Sequence, residues 1–206
     1  MSAPTDIRGL VLRDSLSELE PVLKYWQVLN ENWGISDAPW WYNERASISF
    51  LAGAIWKYGA WLLEEFSTDK LVGQRENKKV VGRCDIAFGI DGQDYWGEAK
   101  QCWPALNGKN NNSMITLNLD RAEKQVKSGK ERGYKGLAIA FVVPKVLRAG
   151  RRQIDTYILN YIDQLKTIPN ATLAWIFPAQ TRNLYPNNDW RDYYFPGIIL
   201  ALRPVK

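Results

Sequence analysis

The chain has 206 residues, 46% of them hydrophobic and 24% charged, a composition that predicts one globular domain with a sizeable core. The absence of histidine excludes Ser-His-Asp and Cys-His catalysis and any zinc site with histidine ligands. Two cysteines, Cys84 and Cys102, cannot build a disulfide framework or a four-thiolate site. A metal ion would therefore need oxygen ligands, which Mg²⁺ and Mn²⁺ prefer.

The predicted elements alternate between helices and strands along the chain. Helices are predicted at residues 15–31, 43–66, 118–132 and 150–166, and strands within the segments RCDIAFGI, QDYWGEAK, GYKGLAIAFVVP, ATLAWIFP and YFPGIILALRP. Asn43 is the expected N-cap of the second helix, and the charged connector STDKLVGQRENKK after it has room for a short strand. This order predicts an α/β fold with a mixed sheet. Its hairpin should be antiparallel, and the strand after the basic helix should be parallel to its neighbour.

The segment GRCDIAFGIDGQDYWGEAKQ, residues 82–101, predicts a β-hairpin around the two-residue turn Asp91-Gly92. In that register Asp85 lies opposite Glu98, and Lys100 follows two residues later on the same face. The other face is apolar and is expected to pack in the core: Cys84, Ile86, Phe88, Tyr95 and Ala99.

Two carboxylates placed opposite each other repel, and burial within a sheet adds a further cost. A divalent cation between Asp85 and Glu98 would remove both costs. The alternative is a solvated polar face on which Lys100 forms a surface ion pair with Glu98. Strands on both sides of the hairpin would argue against that alternative.

A third acid, Glu44, is predicted to head the inward face of the helix at residues 43–66. It shares a stripe with apolar residues at helical spacing: Ile48, Leu51, Ile55, Tyr58 and Leu62. The alternative is an N-terminal acid stabilised by the helix macrodipole. Glu64 and Glu65 are rival acids at the far end of this helix and are expected to be exposed.

Positive charge is concentrated in residues 100–152, where twelve Lys or Arg stand against three Asp or Glu. A basic tract of this kind suits a polyanion such as nucleic acid. A solvated helix face is the alternative interpretation.

One pattern resembles the motif of the PD-(D/E)XK nuclease superfamily. It is an acid at the start of a helix, followed by Asp, twelve residues, Glu, one residue and Lys. Here the motif consists of Glu44 and of Asp85, Glu98 and Lys100 in the segment CDIAFGIDGQDYWGEAK. The resemblance covers residues 43–145 and implies a restriction-endonuclease-like αβββαβ core, a mixed central sheet flanked by helices. Residues 1–39 and 146–206 would be elaborations of that core.

Two further details bear on this resemblance. The segments NERASISFLAGAIWKYGAWLLEE and GRCDIAFGIDG are similar in layout to archaeal Holliday-junction resolvases and related restriction-like nucleases. Cys84 stands where the motif has a proline before its Asp, a position that varies widely in the family.

The resemblance implies a metal-dependent nuclease that hydrolyses phosphodiester bonds by endonucleolytic cleavage, of DNA rather than RNA, with restriction or anti-phage defence as a setting. Asp85, Glu98 and the backbone carbonyl of Ala99 would hold one Mg²⁺, for which Mn²⁺ could substitute. Glu44 would bind the same ion through water or help to hold a second. Lys100 would position and help deprotonate the attacking water, or stabilise charge on the transition state. Gln101, next on the strand but on the opposite face, is a weaker candidate at the edge of the site.

Contacts with nucleic acid are expected mainly from the basic helix. The predicted phosphate contacts are Arg121, Lys124, Gln125, Lys127 and Lys130. Four tryptophans could stack on unpaired bases, although core packing is the expected role for most of the ten in the chain: Trp40, Trp41, Trp96 and Trp103.

Other interpretations remain open at this point. The chain could be a catalytically inert module that binds nucleic acid or a partner protein, or a nuclease that works only within a larger defence or repair complex. A homodimer would suit double-strand cutting. No apolar signal segment or membrane-spanning run is present, so we expect a soluble cytoplasmic protein with no membrane partner.

Overall fold

Apolar segments bounded by Gly, Pro and Asn alternate with helical segments in the computed structural model, which describes residues 5–33, 37–72, 78–108, 111–129, 133–182, 184–185 and 192–206. The elements are, in chain order, β1 (Ile7–Val11), α1 (Glu20–Glu31), α2 (Glu44–Tyr58), β2 (Leu62–Val72), β3 (Lys78–Ile90), β4 (Gln93–Cys102), α3 (Asn111–Ser128), β5 (Lys135–Val142), β6 (Val146–Leu147), α4 (Ile154–Leu165), β7 (Thr172–Phe177), β8 (Tyr193–Tyr194) and β9 (Ile198–Val205). Short 3-10 segments precede α1, α2 and α4: Asp14–Leu19, Pro39–Trp41 and Arg148–Gln153.

Seven of the strands form one mixed sheet in the order β1-β7-β9-β5-β4-β3-β2. β4 and β5 are parallel and are connected by the crossover helix α3, whereas the other neighbours are antiparallel. A separate two-stranded ladder joins β6 to β8. The α/β class, the antiparallel hairpin and the parallel strand after the basic helix are thus confirmed.

Helices cover both faces of this sheet. On one face, α1 and α2 form a core with side chains such as Trp26, Ile55 and Phe88. On the other face, α3 and α4 form a second core with side chains such as Ile115 and Ile158. Each large apolar side chain buried in these layers contributes about 1.5–3 kcal/mol to folding. Within the described residues, every helix is too short or too polar to span a bilayer.

The helix predicted at residues 43–66 is wrong beyond Tyr58. Asn43 caps α2 as predicted, since its side chain accepts a hydrogen bond from the N–H of Ala46 at 3.1 Å. Gly59 ends the helix in the left-handed conformation, with φ of 93°. The chain then reverses into β2, because pairing with residues 78–88 of β3 stabilises residues 62–72 as a strand.

Helix α3 begins earlier than the predicted span of 118–132. It starts at Asn111, because Ile115, which precedes the predicted start, is apolar at helical spacing from Leu119, and both are buried against the sheet. It ends at Ser128, and residues 130–132 lie outside the described residues. β1, which no pattern predicted, pairs with β7 at the edge of the sheet.

Candidate active site

The β3–β4 hairpin forms around Asp91-Gly92, as predicted. Its ladder runs from Ile90–Gln93 to Ile86–Gly97, which is the expected register. Both turn residues have positive φ, 50° and 79°, the conformation that two-residue hairpin turns require. The hairpin lies between β2 and β5, so its strands are covered on both sides.

Asp85 lies where the two strands of the hairpin separate. Its Oδ2 accepts a hydrogen bond from the backbone N–H of Ala99 at 2.8 Å, just beyond the last ladder pair, Ile86–Gly97. The predicted direct pairing of Asp85 with Glu98 is therefore wrong, because a side-chain carboxylate replaces the backbone acceptor at this point. In an antiparallel ladder the N–H and C=O of one residue point the same way, so the Ala99 carbonyl faces the same gap.

Lys100 brings a positive charge to this gap. Its Nζ donates a hydrogen bond to the carbonyl of Ala99 and lies 3.9 Å from Oε1 of Glu44. Glu44 is the first residue of α2, and the backbone of Gln101 lies close enough to lower the pKa of its carboxyl. The side chains of Lys100 and Glu44 are 25% and 34% exposed, so the site opens to solvent.

The electrostatics of Glu44 reflect this gathering of charges. Burial raises the pKa of its carboxyl, the Lys100 charge lowers it, the Asp85 charge raises it, and the net change is upward. An isolated acid at a solvated helix N-terminus would instead have a lowered pKa. The macrodipole alone therefore does not explain Glu44.

Glu98 is only 2% exposed. It lies two residues from Trp96 and four from Cys102, whose side chains pack with residues of α3, so the three share one face of β4. Burial raises the pKa of the Cys84 thiol to about 12, and the charges of Glu98 and Asp85 contribute to this shift. The two carboxylates thus lie near one thiol, and a solvated polar face carrying Glu98 is excluded.

Both cysteines are free and buried. The Cys84 side chain belongs to a cluster with Trp96 and Val126, whereas the strict alternation of β3 predicted that it would share the α1–α2 core with Ile86. The alternation fails here because regular pairing is interrupted at Asp85: the ladder with β4 ends at Ile86–Gly97, and the ladder with β2 has no pair between Asp85 and Glu65.

Gln101 connects β4 to α2. Its Oε1 accepts a hydrogen bond from Oγ of Ser47 at 2.7 Å, while its Nε2 is buried without a hydrogen-bond partner among the described residues. This contact ties the first turn of α2 to β4 beside the gap. Gln101 therefore lies at the edge of the site, on the face that the sequence predicted.

The predicted metal ligands do not converge into one preformed cluster. Across the described part of the chain, no three Asp, Glu, Cys or His side chains lie close enough together to hold a metal ion. Glu44, Asp85 and Lys100 meet around the backbone of Ala99, while Glu98 is buried beside them. These residues therefore offer one backbone carbonyl and separate carboxylates, rather than a preformed metal site with all its ligands in place.

The predicted phosphate contacts of the basic helix are exposed on α3, apart from Lys130, which lies outside the described residues. The exposed residues are Arg121, Lys124, Gln125 and Lys127. α3 and α2 cover opposite faces of the sheet, so the structure does not bring these side chains together with Glu44. Stacking on bases is wrong for Trp40 and Trp96, which are 0% and 2% exposed, whereas Trp41 and Trp103 are half-buried.

A group of three charged residues near the site was missed by the sequence analysis. Glu65 lies in β2 between the residues that pair with Cys84 and Ile86, and thus opposite Asp85. Its two carboxylate oxygens lie 2.7 Å from Nε of Arg45 and 3.1 Å from Nη1 of Arg83. In the sequence, Gly59 was the one indication of this group. A glycine at this position predicts that the helix ends there, and Glu65 then belongs to the following strand.

Comparison of the chain with protein-family models, with curated proteins and with solved structures finds no match in any of the three. A function must therefore be argued from the chemistry and geometry of the site itself.

Proposed function

We propose that this protein is a metal-dependent nuclease of the PD-(D/E)XK type, which hydrolyses phosphodiester bonds in DNA by endonucleolytic cleavage. The observation that carries the proposal is the arrangement at the gap between β3 and β4. There Asp85 and Lys100 bind the N–H and the carbonyl of Ala99, and Glu44 reaches the same gap from α2. The order α2-β2-β3-β4-α3-β5 is compatible with the αβββαβ core that this nuclease type requires.

The residues present fit a divalent cation with oxygen ligands. Glu44, Asp85, Glu98 and Lys100 are three acids and one base, so their formal charge of −2 would be balanced by one Mg²⁺. The Ala99 carbonyl accepts a hydrogen bond from the Lys100 ammonium group, so its oxygen is turned toward the gap, where the ion would replace that contact. Mg²⁺ commonly uses one or two carboxylates and keeps several waters, so it does not need a cluster of three carboxylates.

Each residue has a role in this proposal. Asp85, Glu98 and the Ala99 carbonyl would hold Mg²⁺ or Mn²⁺, and Glu44 would bind through water. The bound ion supplies positive charge that stabilises the phosphoryl oxygens during hydrolysis. Lys100 positions the attacking water and stabilises developing negative charge. The raised pKa of Glu44 makes its carboxylate a stronger base, suited to accept a proton near Lys100.

The test is a cleavage panel with supercoiled plasmid, linear duplex, single-stranded DNA and RNA, each with Mg²⁺, Mn²⁺ or EDTA. Metal-dependent nicking of the plasmid is expected, and it should be lost in Asp85→Asn and Lys100→Met. Matched controls are Asp163→Asn and Lys166→Met, which change an exposed ion pair of 2.8 Å at the end of α4 and should cleave normally.

Two results would change the conclusion. If the purified chain cleaves none of the four substrates but binds nucleic acid with strong salt dependence, the inert binding module replaces the nuclease. If RNA alone is cleaved, the substrate assignment is wrong while the roles of the residues stand.

A further inference from the structure

The proposed site has no net positive charge even with one Mg²⁺ bound, which raises the question of what attracts its substrate. Glu44, Asp85, Glu98 and Lys100 sum to −2, and a nucleic-acid backbone adds one negative charge per phosphate. The basic residues of α3 cover the other face of the sheet from α2. Positive charge on the side of Glu44 must therefore come from other residues.

Arg45 and Arg83 supply positive charge beside the site. Arg45 directly follows Glu44 at the start of α2, and Arg83 precedes Asp85 by two residues on β3. Their side chains are 68% and 64% exposed. Both guanidinium groups contact the one carboxylate of Glu65, which leaves the trio with a net charge of +1.

The backbone of Glu65 is held in an unusual conformation. Its φ of 45° lies in the left-handed region, which residues other than glycine rarely adopt and which occurs often at functional sites. Each guanidinium has five N–H donors, and the contacts with Glu65 involve one nitrogen of each. Donors therefore remain for a second anion while Glu65 holds both groups in place.

We propose that Arg45 and Arg83 form a clamp that binds phosphates of the nucleic-acid backbone next to the cleaved bond, with Glu65 as the residue that positions them. The clamp rests on the proposed nuclease function and identifies the part of the substrate that the α2 side of the site contacts. Guanidinium groups bind phosphate oxygens through two parallel hydrogen bonds, which a lysine cannot reproduce. Because phosphates carry no sequence information, the clamp should act equally on different sequences.

The experiment measures binding of a fluorescent DNA duplex at several NaCl concentrations, with Mg²⁺ present and Lys100→Met as a common background that prevents cleavage. Arg45→Ala and Arg83→Ala should each weaken binding roughly tenfold and reduce the slope of log Kd against log[NaCl] by about 1. The matched control is Arg8→Ala, because Arg8 forms a similar ion pair with Glu31 at 3.0 Å on β1, at the opposite edge of the sheet. It should leave the slope unchanged.

Two further variants distinguish a clamp from a structural ion pair. Arg45→Lys and Arg83→Lys should keep the salt slope but recover only part of the affinity, since the charge remains and the paired hydrogen bonds do not. If Arg45→Ala and Arg83→Ala lower the melting temperature but bind DNA like Arg8→Ala, the trio is only structural and the clamp is wrong.

The failure of the clamp can be told apart from the failure of the nuclease proposal. If the unsubstituted chain cleaves DNA and the arginine variants have the control's salt slope, only the clamp is overturned. If the unsubstituted chain neither binds nor cleaves any nucleic acid, both proposals are overturned together.

Discussion

Asp85 has two separable roles, which two substitutions at the same position can distinguish. Its Oδ2 accepts a hydrogen bond from the N–H of Ala99, a residue with no exposed surface. Asp85→Ala leaves that N–H unsatisfied and removes a charge-assisted hydrogen bond, at a cost of about 2 kcal/mol. For a chain of this length, that cost should lower Tm by roughly 4–8 °C.

Asp85→Asn keeps an acceptor oxygen for the same N–H but loses the negative charge. A neutral hydrogen bond is about half as strong, so the expected cost is at most about 1 kcal/mol. The lost repulsion with Glu44, whose pKa the Asp85 charge raises, offsets part of that cost. The Asn variant should therefore melt above the Ala variant and yet lack the charge that a divalent cation requires.

The assay is thermal unfolding by circular dichroism, with and without Mg²⁺, alongside plasmid cleavage. Ligand binding to the native state raises Tm, so Mg²⁺ should stabilise the unsubstituted chain but neither Asp85 variant. Equal Tm values for the Asn and Ala variants would show that the bond to Ala99 contributes little. Metal-dependent cleavage by Asp85→Asn at the unsubstituted rate would refute Asp85 as a metal ligand.

Three further predictions concern pH, a helix end and the thiols. Because the folded state raises the pKa of Glu44, its ionised carboxylate costs stability at neutral pH, and Glu44→Gln should raise Tm at pH 7. This gain should disappear below about pH 4, where the Glu44 carboxyl is protonated in both the folded and the unfolded chain. A gain that persists at low pH would contradict this prediction. Gly59→Ala places a side chain at φ of 93° and should lower the free energy of unfolding by about 1 kcal/mol. Tm should then fall by roughly 2–4 °C. An unchanged Tm would mean that the end of the helix adapts to the side chain. Cys84 and Cys102 are 0% and 5% exposed, and burial raises both thiol pKa values to about 12. A chromogenic disulfide reagent for thiols should therefore react with neither cysteine at pH 8 until denaturant is added. Rapid reaction of the native chain would show that the two thiols are not buried.

The hairpin could be predicted from the sequence because its determinants are local. Asp91-Gly92 selects a two-residue turn, and that turn alone sets the register of Ile90 with Gln93 and of every pair up to Ile86–Gly97. The parallel arrangement of β4 and β5 likewise follows from the intervening helix. The neighbourhood of Asp85 and Lys100 is a consequence of these short-range features.

The end of α2 could not be predicted in the same way, because it depends on a distant partner. The segment WLLEEF suits a helix as well as a strand, and its pairing with β3, from Leu62–Phe88 to Phe66–Cys84, selects the strand. Gly59 was a local signal for the end of the helix. The position of Glu65 beside Arg45 and Arg83 depends on this outcome, which is why the group was missed.

The separation of β3 from β4 explains how a sheet interior can carry a polar site. A continuous ladder would use the N–H and carbonyl of Ala99 in backbone pairing, and side chains would have no access to them. Because the ladder ends at Ile86–Gly97, Asp85 takes the N–H and Lys100 takes the carbonyl. Two-residue alternation alone would have placed Asp85 against Glu98, at the cost of two opposed carboxylates. The actual geometry gives the Asp85 carboxylate a backbone donor, so the position of Asp85 does not depend on a bound cation.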